Sequence, residues 1–166
     1  MRDYLLDTNI WAYMWHTDKY PKQAANVLKR LNKLTSDNKL SISIITWGEI
    51  SVGLPGNIPR KQLKFITAVN ASRIGLDKYV AEKYGELRGL LADKLPKRKK
   101  GLNPEQLVDR FTWLELGSLE NDLWIAAQAM TRNLTLVTND TNSGMAHIRD
   151  IAGVSLHIEN WAANGK

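Results

Sequence analysis

Short apolar runs alternate along this chain with stretches of helical period, and that alternation excludes most folds. "RDYLL" (2–6), "LSISII" (40–45), "SRIGL" (72–76), "LTLVT" (134–138) and "VSLHI" (154–158) read as strands bounded by polar or turn residues. The first helix is expected from Thr8 to about His16. "KQAANVLKRLNKL" (22–34) sets Ala24, Val27, Leu28, Leu31 and Leu34 on one helical face. Further helices are expected over 46–54, 60–70, 78–95 and 119–133, with shorter ones over 104–112 and 142–151. Pro55-Gly56, Pro96 and Asn133 supply the stops. Strands separated by helices make right-handed βαβ units, so the class is α/β, with a parallel sheet covered on both faces. A chain of 166 residues suits one domain. Residues 94–118 break the rhythm and read as an insertion.

Several function classes fall away at once. No apolar run approaches membrane-spanning length. The opening "MRDYLLDTN" meets acids at positions 3 and 7, unlike a secretory signal, so the cytoplasm is the expected location. With no Cys there is no disulfide, thiolate zinc site or Cys nucleophile. His16, His147 and His157 show no paired ligand spacing. Neither a GxxxxGK[ST] loop nor a G-x-S-x-G elbow occurs. The net charge of +6 favours acidic partners, nucleic acid foremost. "DKLPKRKKG" (93–101) carries five bases against one acid, either as a solvated loop or as a phosphate-contacting arm.

Four acids stand where strands hand over to helices, the end of an open parallel sheet at which ligands bind. Asp7 ends the first strand in "YLLDTNIW". Glu49 follows the second, Asp122 lies in the first turn of "LENDLWIAA", and Asp140 follows "LTLVTN". Each also has a structural reading. Asp7 can cap a helix, and "TWGE" (46–49) is a capping box by pattern. Ser118 can cap the helix that carries Asp122, and Asp140 can serve a turn. Four acids in equivalent places make coincidence the poorer account. Converging carboxylates repel unless cations are present, and an all-oxygen donor set suits Mg²⁺ or Mn²⁺ rather than zinc. In a basic chain that chemistry points to phosphodiesters.

"LLDTNIW", "ITWGEISVGL", "ENDLWIAAQA", "LVTND" and "IENW" together resemble the PIN domain, specifically VapC-type toxin ribonucleases of type II toxin–antitoxin systems. The match runs in order along nearly the whole chain, apart from 94–118. The resemblance implies a three-layer α/β/α sandwich around a parallel β-sheet, usually dimeric, that cuts RNA with Mg²⁺ (Mn²⁺ as the alternative) to leave a 5′-phosphate and a 3′-hydroxyl. It makes Asp7 and Asp122 the principal metal ligands, Glu49 the third acid and Asp140 the fourth. Thr8 and Asn9 match the polar pair after the first Asp, and Thr138 the Thr of the fourth motif, as residues that orient the carboxylates. It also implies a cognate antitoxin that holds the enzyme inactive. Lys97, Arg98, Lys99 and Lys100 are the candidate RNA-backbone contacts.

The chain departs from that pattern twice. "TNDTNSGMAHI" lacks the aromatic residue often found after the fourth motif, and the basic insertion lengthens the chain. Both bear on substrate choice. Trp11, Trp15 and Trp47, near the predicted site, read either as core or as the lining of a groove for a partner segment. Other classes fit less well. A receiver domain wants an adjacent acidic pair at the first strand and a Lys near the last site; a haloacid-dehalogenase-type phosphatase wants D-x-D. A PIN nuclease of RNA processing without toxin role, and a non-catalytic RNA-binding module, stay open as alternatives.

Overall fold

The structure, a computed structural model, describes residues 2–51, 60–94, 119–140 and 144–163. Five strands form one sheet: β1 (Tyr4–Leu6), β2 (Leu40–Ser43), β3 (Ser72–Ile74), β4 (Thr135–Val137) and β5 (Ile158–Glu159). Their order is β3-β2-β1-β4-β5 and every pairing is parallel. The helices are α1 (Thr8–Trp15), α2 (Pro21–Leu31), α3 (Ile44–Ser51), α4 (Arg60–Ala68), α5 (Lys78–Lys94), α6 (Glu120–Thr131) and α7 (Gly144–Ala152).

Side chains of a strand alternate between the two faces of a sheet, so neighbouring apolar residues serve different cores. Leu5 and Leu136 belong to a cluster with Val80, Leu87, Leu123, Ala126 and Ile148 from α5, α6 and α7. Leu6, Ile42 and Val137 join Ile10, Trp11, Val27 and Ile66 from α1, α2 and α4. With helices burying both faces, the strands read as continuous apolar runs rather than alternating ones. The result is the expected α/β/α sandwich.

Strand order reverses at β1. The chain leaves β1 toward β2 and β3 on one side, then returns through α5 and α6 to β4 on the other. The crevice between the carboxyl ends of β1 and β4 is therefore the topological switch point. Asp7 sits in it, its amide donating to Val137 O at 2.9 Å.

Local signals explain the boundaries. Pro21 opens α2, where its missing N–H costs nothing, and Lys29 and Arg30 oppose the dipole in its last turn. Asn133 takes φ 51° directly after α6, a left-handed conformation that Asn tolerates. Gln128 is buried within α6, and its Nε2 donates to Ile74 O (3.2 Å) and Gly75 O (3.0 Å), fastening α6 to the end of β3.

Two expectations need correction. The capping box at Thr46 and Glu49 does not form, because α3 starts at Ile44 directly after β2 and both residues lie inside it. Ser43 makes the local bond instead, accepting from Ile45 N at 3.0 Å. Parallel pairing extends only through Ser43, so packing overrides the β-branched preference of Ile44 and Ile45. The last strand is not 154–158. Gly153 (φ 58°) begins a 3₁₀ turn over Gly153–Ser155, and only Ile158 and Glu159 pair with β4. Of the two readings of Trp11, core holds: it is fully buried, donates from Nε1 to Leu6 O at 3.1 Å and stacks on Trp15 at 5.9 Å. Trp15 and Trp47 pack on the same cluster with part of their surface exposed.

The expected helix over 104–112, Ser118 and the basic run at Lys97–Lys100 lie outside the described residues. No helix among the described residues is long and apolar enough to cross a membrane.

Candidate active site

Asp7 is 5% exposed, buried at the junction of β1 and α1. It caps α1, with Oδ1 accepting from Thr8 N at 2.7 Å. Oδ2 accepts from Asn9 Nδ2 (2.7 Å) and Thr138 Oγ1 (2.7 Å). A carboxylate offers about four lone-pair sites. Oδ2 is thus filled, and Oδ1 keeps one site for a further ligand. Burial pushes the Asp7 carboxyl above its ordinary range, against the hydrogen bonds from Thr138 and Thr8, and Glu49 and Asp140 add to the rise.

Glu49 projects from the second turn of α3. Thr8 Oγ1 hydrogen-bonds Glu49 Oε2 and also reaches Thr46 Oγ1 at 3.2 Å. Asn121 Nδ2 donates to Glu49 Oε1 at 2.7 Å. Glu49 is thus held between α1 and α6, each of its oxygens engaged once. That answers why Thr46 is fully buried in α3: it faces Thr8 in the crevice.

Asp122, in the first turn of α6, differs from Asp7 in having no hydrogen bond among the described residues to stabilise its charge. Its carboxyl is pushed up to about 7, first by burial and then by the charges of Asp7, Asp140 and Glu49. Among the described residues no cation opposes them in that balance. Asp140 follows β4, its amide donating to Thr138 Oγ1 at 3.0 Å. The four acids therefore share one electrostatic neighbourhood, although no three acidic or imidazole groups among the described residues stand close enough to hold one ion together. The donor set nonetheless suits a hard divalent cation: all oxygen, mutually repelling, and short of positive charge.

The first residue of α7 closes this side of the crevice. A Cβ on Gly144 would overlap Leu119 Cδ2 and come within 3.1 Å of Asp122 Oδ2. Gly144→Ala is therefore expected to destabilise the fold by about 1–3 kcal/mol, since a well-packed site resists added volume. Urea denaturation of the variant beside the parent measures it.

Thr8, Asn9 and Thr138 all touch the carboxylates. Sequence reading took Thr46 only as a cap and overlooked Asn121, Asn139, Tyr13 and Asn160. Asn139 donates from its amide to Asn9 Oδ1 (3.0 Å) and from Nδ2 to Tyr13 OH (2.8 Å), and it accepts from Asn160 Nδ2 (2.9 Å). For Asn121 and Asn139 a signal existed, since each directly precedes one of the four acids.

The sequence profile of the PIN domain matches residues 4–151. The chain belongs to the PIN domain family. Among curated proteins, this PIN domain is 30% identical over 162 residues to Ribonuclease VapC2 of Rickettsia felis, covering 95% of this chain and 97% of the relative. Among solved structures it resembles VapBC2 from Rickettsia felis bound to a DNA fragment from their promoter. There the TM-score is 0.60 at 28% identity, over 96% of this chain and 98% of the other. VapBC-1 from nontypeable Haemophilus influenzae shares the fold, with a TM-score of 0.63 at 21% identity over 97% and 99% of the two chains. The PIN domain described here thus resembles VapC-type toxins of type II toxin–antitoxin systems.

Proposed function

We propose that this PIN domain is a Mg²⁺-dependent endoribonuclease and the toxin of a toxin–antitoxin pair. The observation that carries the reading is the convergence of Asp7, Glu49 and Asp140 on Asp122, whose carboxyl is pushed up to about 7 first by burial and then by the charges of those three acids. Likeness to Ribonuclease VapC2 supports RNA as the substrate, and likeness to VapBC2 supports an antitoxin partner. The chain would act in the cytoplasm as a homodimer.

Asp7 and Asp122 would hold the ion, with Glu49 and Asp140 beside them. When bound, a divalent cation neutralises these acids, eases deprotonation of water and offsets charge on the attacked phosphate. The protein's own groups do the rest. Asn9 and Thr138 orient Asp7 through Oδ2. Thr8 and Asn121 fix Glu49, whose remaining lone pairs can take a proton from the attacking water. The water oxygen forms a bond to phosphorus as the P–O3′ bond breaks. A proton returns to O3′, leaving a 3′-hydroxyl and a 5′-phosphate.

Cleavage of RNA by purified protein with Mg²⁺, and its loss in EDTA, is the expected result. Cutting that persists in EDTA, or no cutting under either condition, overturns the reading. Growth arrest on expression, relieved by the product of a neighbouring small gene, distinguishes a toxin from a nuclease of RNA processing. Lys97, Arg98, Lys99 and Lys100 would contact the RNA backbone. Changing all four to Ala is expected to weaken RNA binding and to reduce the slope of log K against log[salt] by about 3, at roughly 0.7 per phosphate contact. Titrations at several salt concentrations read both quantities.

A further inference from the structure

We propose that Tyr13, Asn139 and Asn160 are positioning residues that hold Asp7 in its ligand-binding orientation through the side chain of Asn9. The proposal rests on the metal-site reading above, and it concerns groups that touch neither metal nor substrate.

The argument begins with the two ends of an amide. An Asn side chain has an acceptor end and a donor end, and neither can do the other's work. Asn139 N is a donor aimed at Asn9 from 3.0 Å, so the Asn9 end facing it must be Oδ1. That fixes Nδ2 toward Asp7 Oδ2 (2.7 Å) and Thr138 Oγ1 (3.0 Å). With Asn9 turned the other way, two N–H donors would meet and Asp7 Oδ2 would lose one of its two donors. Oδ2 is filled only because Asn9 points as it does, and filling Oδ2 reserves Oδ1 for a ligand.

Asn139 is itself clamped at both ends. Its Nδ2 donates to Tyr13 OH, one turn beyond Asn9 on α1, and its Oδ1 accepts from Asn160 Nδ2. Asn160 is anchored in turn, its Oδ1 accepting from Ala162 N (2.9 Å) and Ala163 N (3.0 Å). The relay ties the ends of β1, β4 and β5 together: the two clamps on its side chain hold Asn139 in place, and with it the main-chain N–H that faces Asn9.

Two substitutions separate positioning from mere structure. Tyr13→Phe removes the acceptor for Asn139 and keeps the ring that packs edge-on against Tyr20 at 5.1 Å. Asn160→Asp keeps the oxygen that serves Ala162 and Ala163 and removes the donor to Asn139. The added negative charge of Asn160→Asp would by itself tighten a cation site, so weaker binding there reports the lost donor.

The experiment is Mn²⁺ binding by calorimetry, with Asp7→Asn as a control and thermal melting of every variant. The expected result is binding by the wild type and a Kd raised about 10-fold in both Tyr13→Phe and Asn160→Asp, at unchanged Tm. Raised Mg²⁺ should restore their cleavage rate without a change in KM for RNA. If the wild type binds Mn²⁺ and both variants match it, the relay idea is wrong while the metal site stands. If weaker binding appears only with early melting, the role is structural and the proposal fails. If the wild type binds no Mn²⁺, the metal-site reading falls and the relay with it.

Discussion

Asp122→Asn is expected to abolish RNA cleavage and at the same time to raise the melting temperature of the metal-free protein. Activity should fall on the order of 100-fold or more, because the variant removes one of the two acids proposed to hold the ion. Stability should rise because the same charge is strained, pushed up to about 7 by burial and by Asp7, Asp140 and Glu49. The sign follows from linkage. A carboxyl that binds its proton more tightly folded than unfolded takes stability away as pH climbs from its ordinary value of 3.8 toward 7. The wild type should therefore match the variant near pH 4 and fall below it by about 5 °C near pH 8. Melting curves in EDTA across that range give the comparison. Mg²⁺ should lift the wild-type Tm and leave the variant nearly unmoved, since only the intact site gains from the ion. A variant no more stable than its parent at pH 8 would mean that Asp122 is not under strain from its neighbours.

Asp7→Ala should also be inactive, yet its stability should move in the opposite direction. The carboxylate is the acceptor for Thr8 N, Asn9 Nδ2 and Thr138 Oγ1, all close to 2.7 Å in a buried setting. Removing it leaves three donors without a partner, at roughly 1 kcal/mol or more each. Relief of a buried charge opposes that loss, but it cannot supply an acceptor. A net loss of about 3 kcal/mol is expected, or roughly 6–12 °C in Tm for a chain of this size. Denaturant unfolding beside Asp122→Asn gives the contrast. Two inactive variants displaced to opposite sides of the wild type would show one acid serving as both ligand and cap. If both shift the same way, hydrogen bonding to Asp7 is not what sets the two carboxylates apart.

Much of this architecture was legible in the chain. Among the described residues, apolar runs and period-3.6 patterning located strands and helices to within a few residues wherever the two did not compete. It failed at Ile44 and Ile45, whose β-branched side chains argue for strand although they open α3. It failed again at 154–158, where Gly153 introduces a turn that periodicity cannot register. The acids were visible because charge at the end of an apolar strand is anomalous. Their hydrogen-bond partners were not, because Asn and Thr are ordinary residues in turns and first helical turns. Nothing local marks Asn160 as a neighbour of the crevice when Asn9 lies 151 positions earlier.

By itself the sequence determined which residues are apolar, how far each periodic run extends, and which carboxylates end up at strand-to-helix junctions. Those are local properties, written in spacing and residue type. Only the tertiary structure decided that β4 lies beside β1, so that Asp7 and Thr138 meet, that α6 brings Asn121 to Glu49, and that Asp122 finds no donor among the described residues. Whether a carboxylate is stabilised or strained depends on the groups within a few ångströms of it. Parallel pairing draws those groups from segments more than a hundred residues apart.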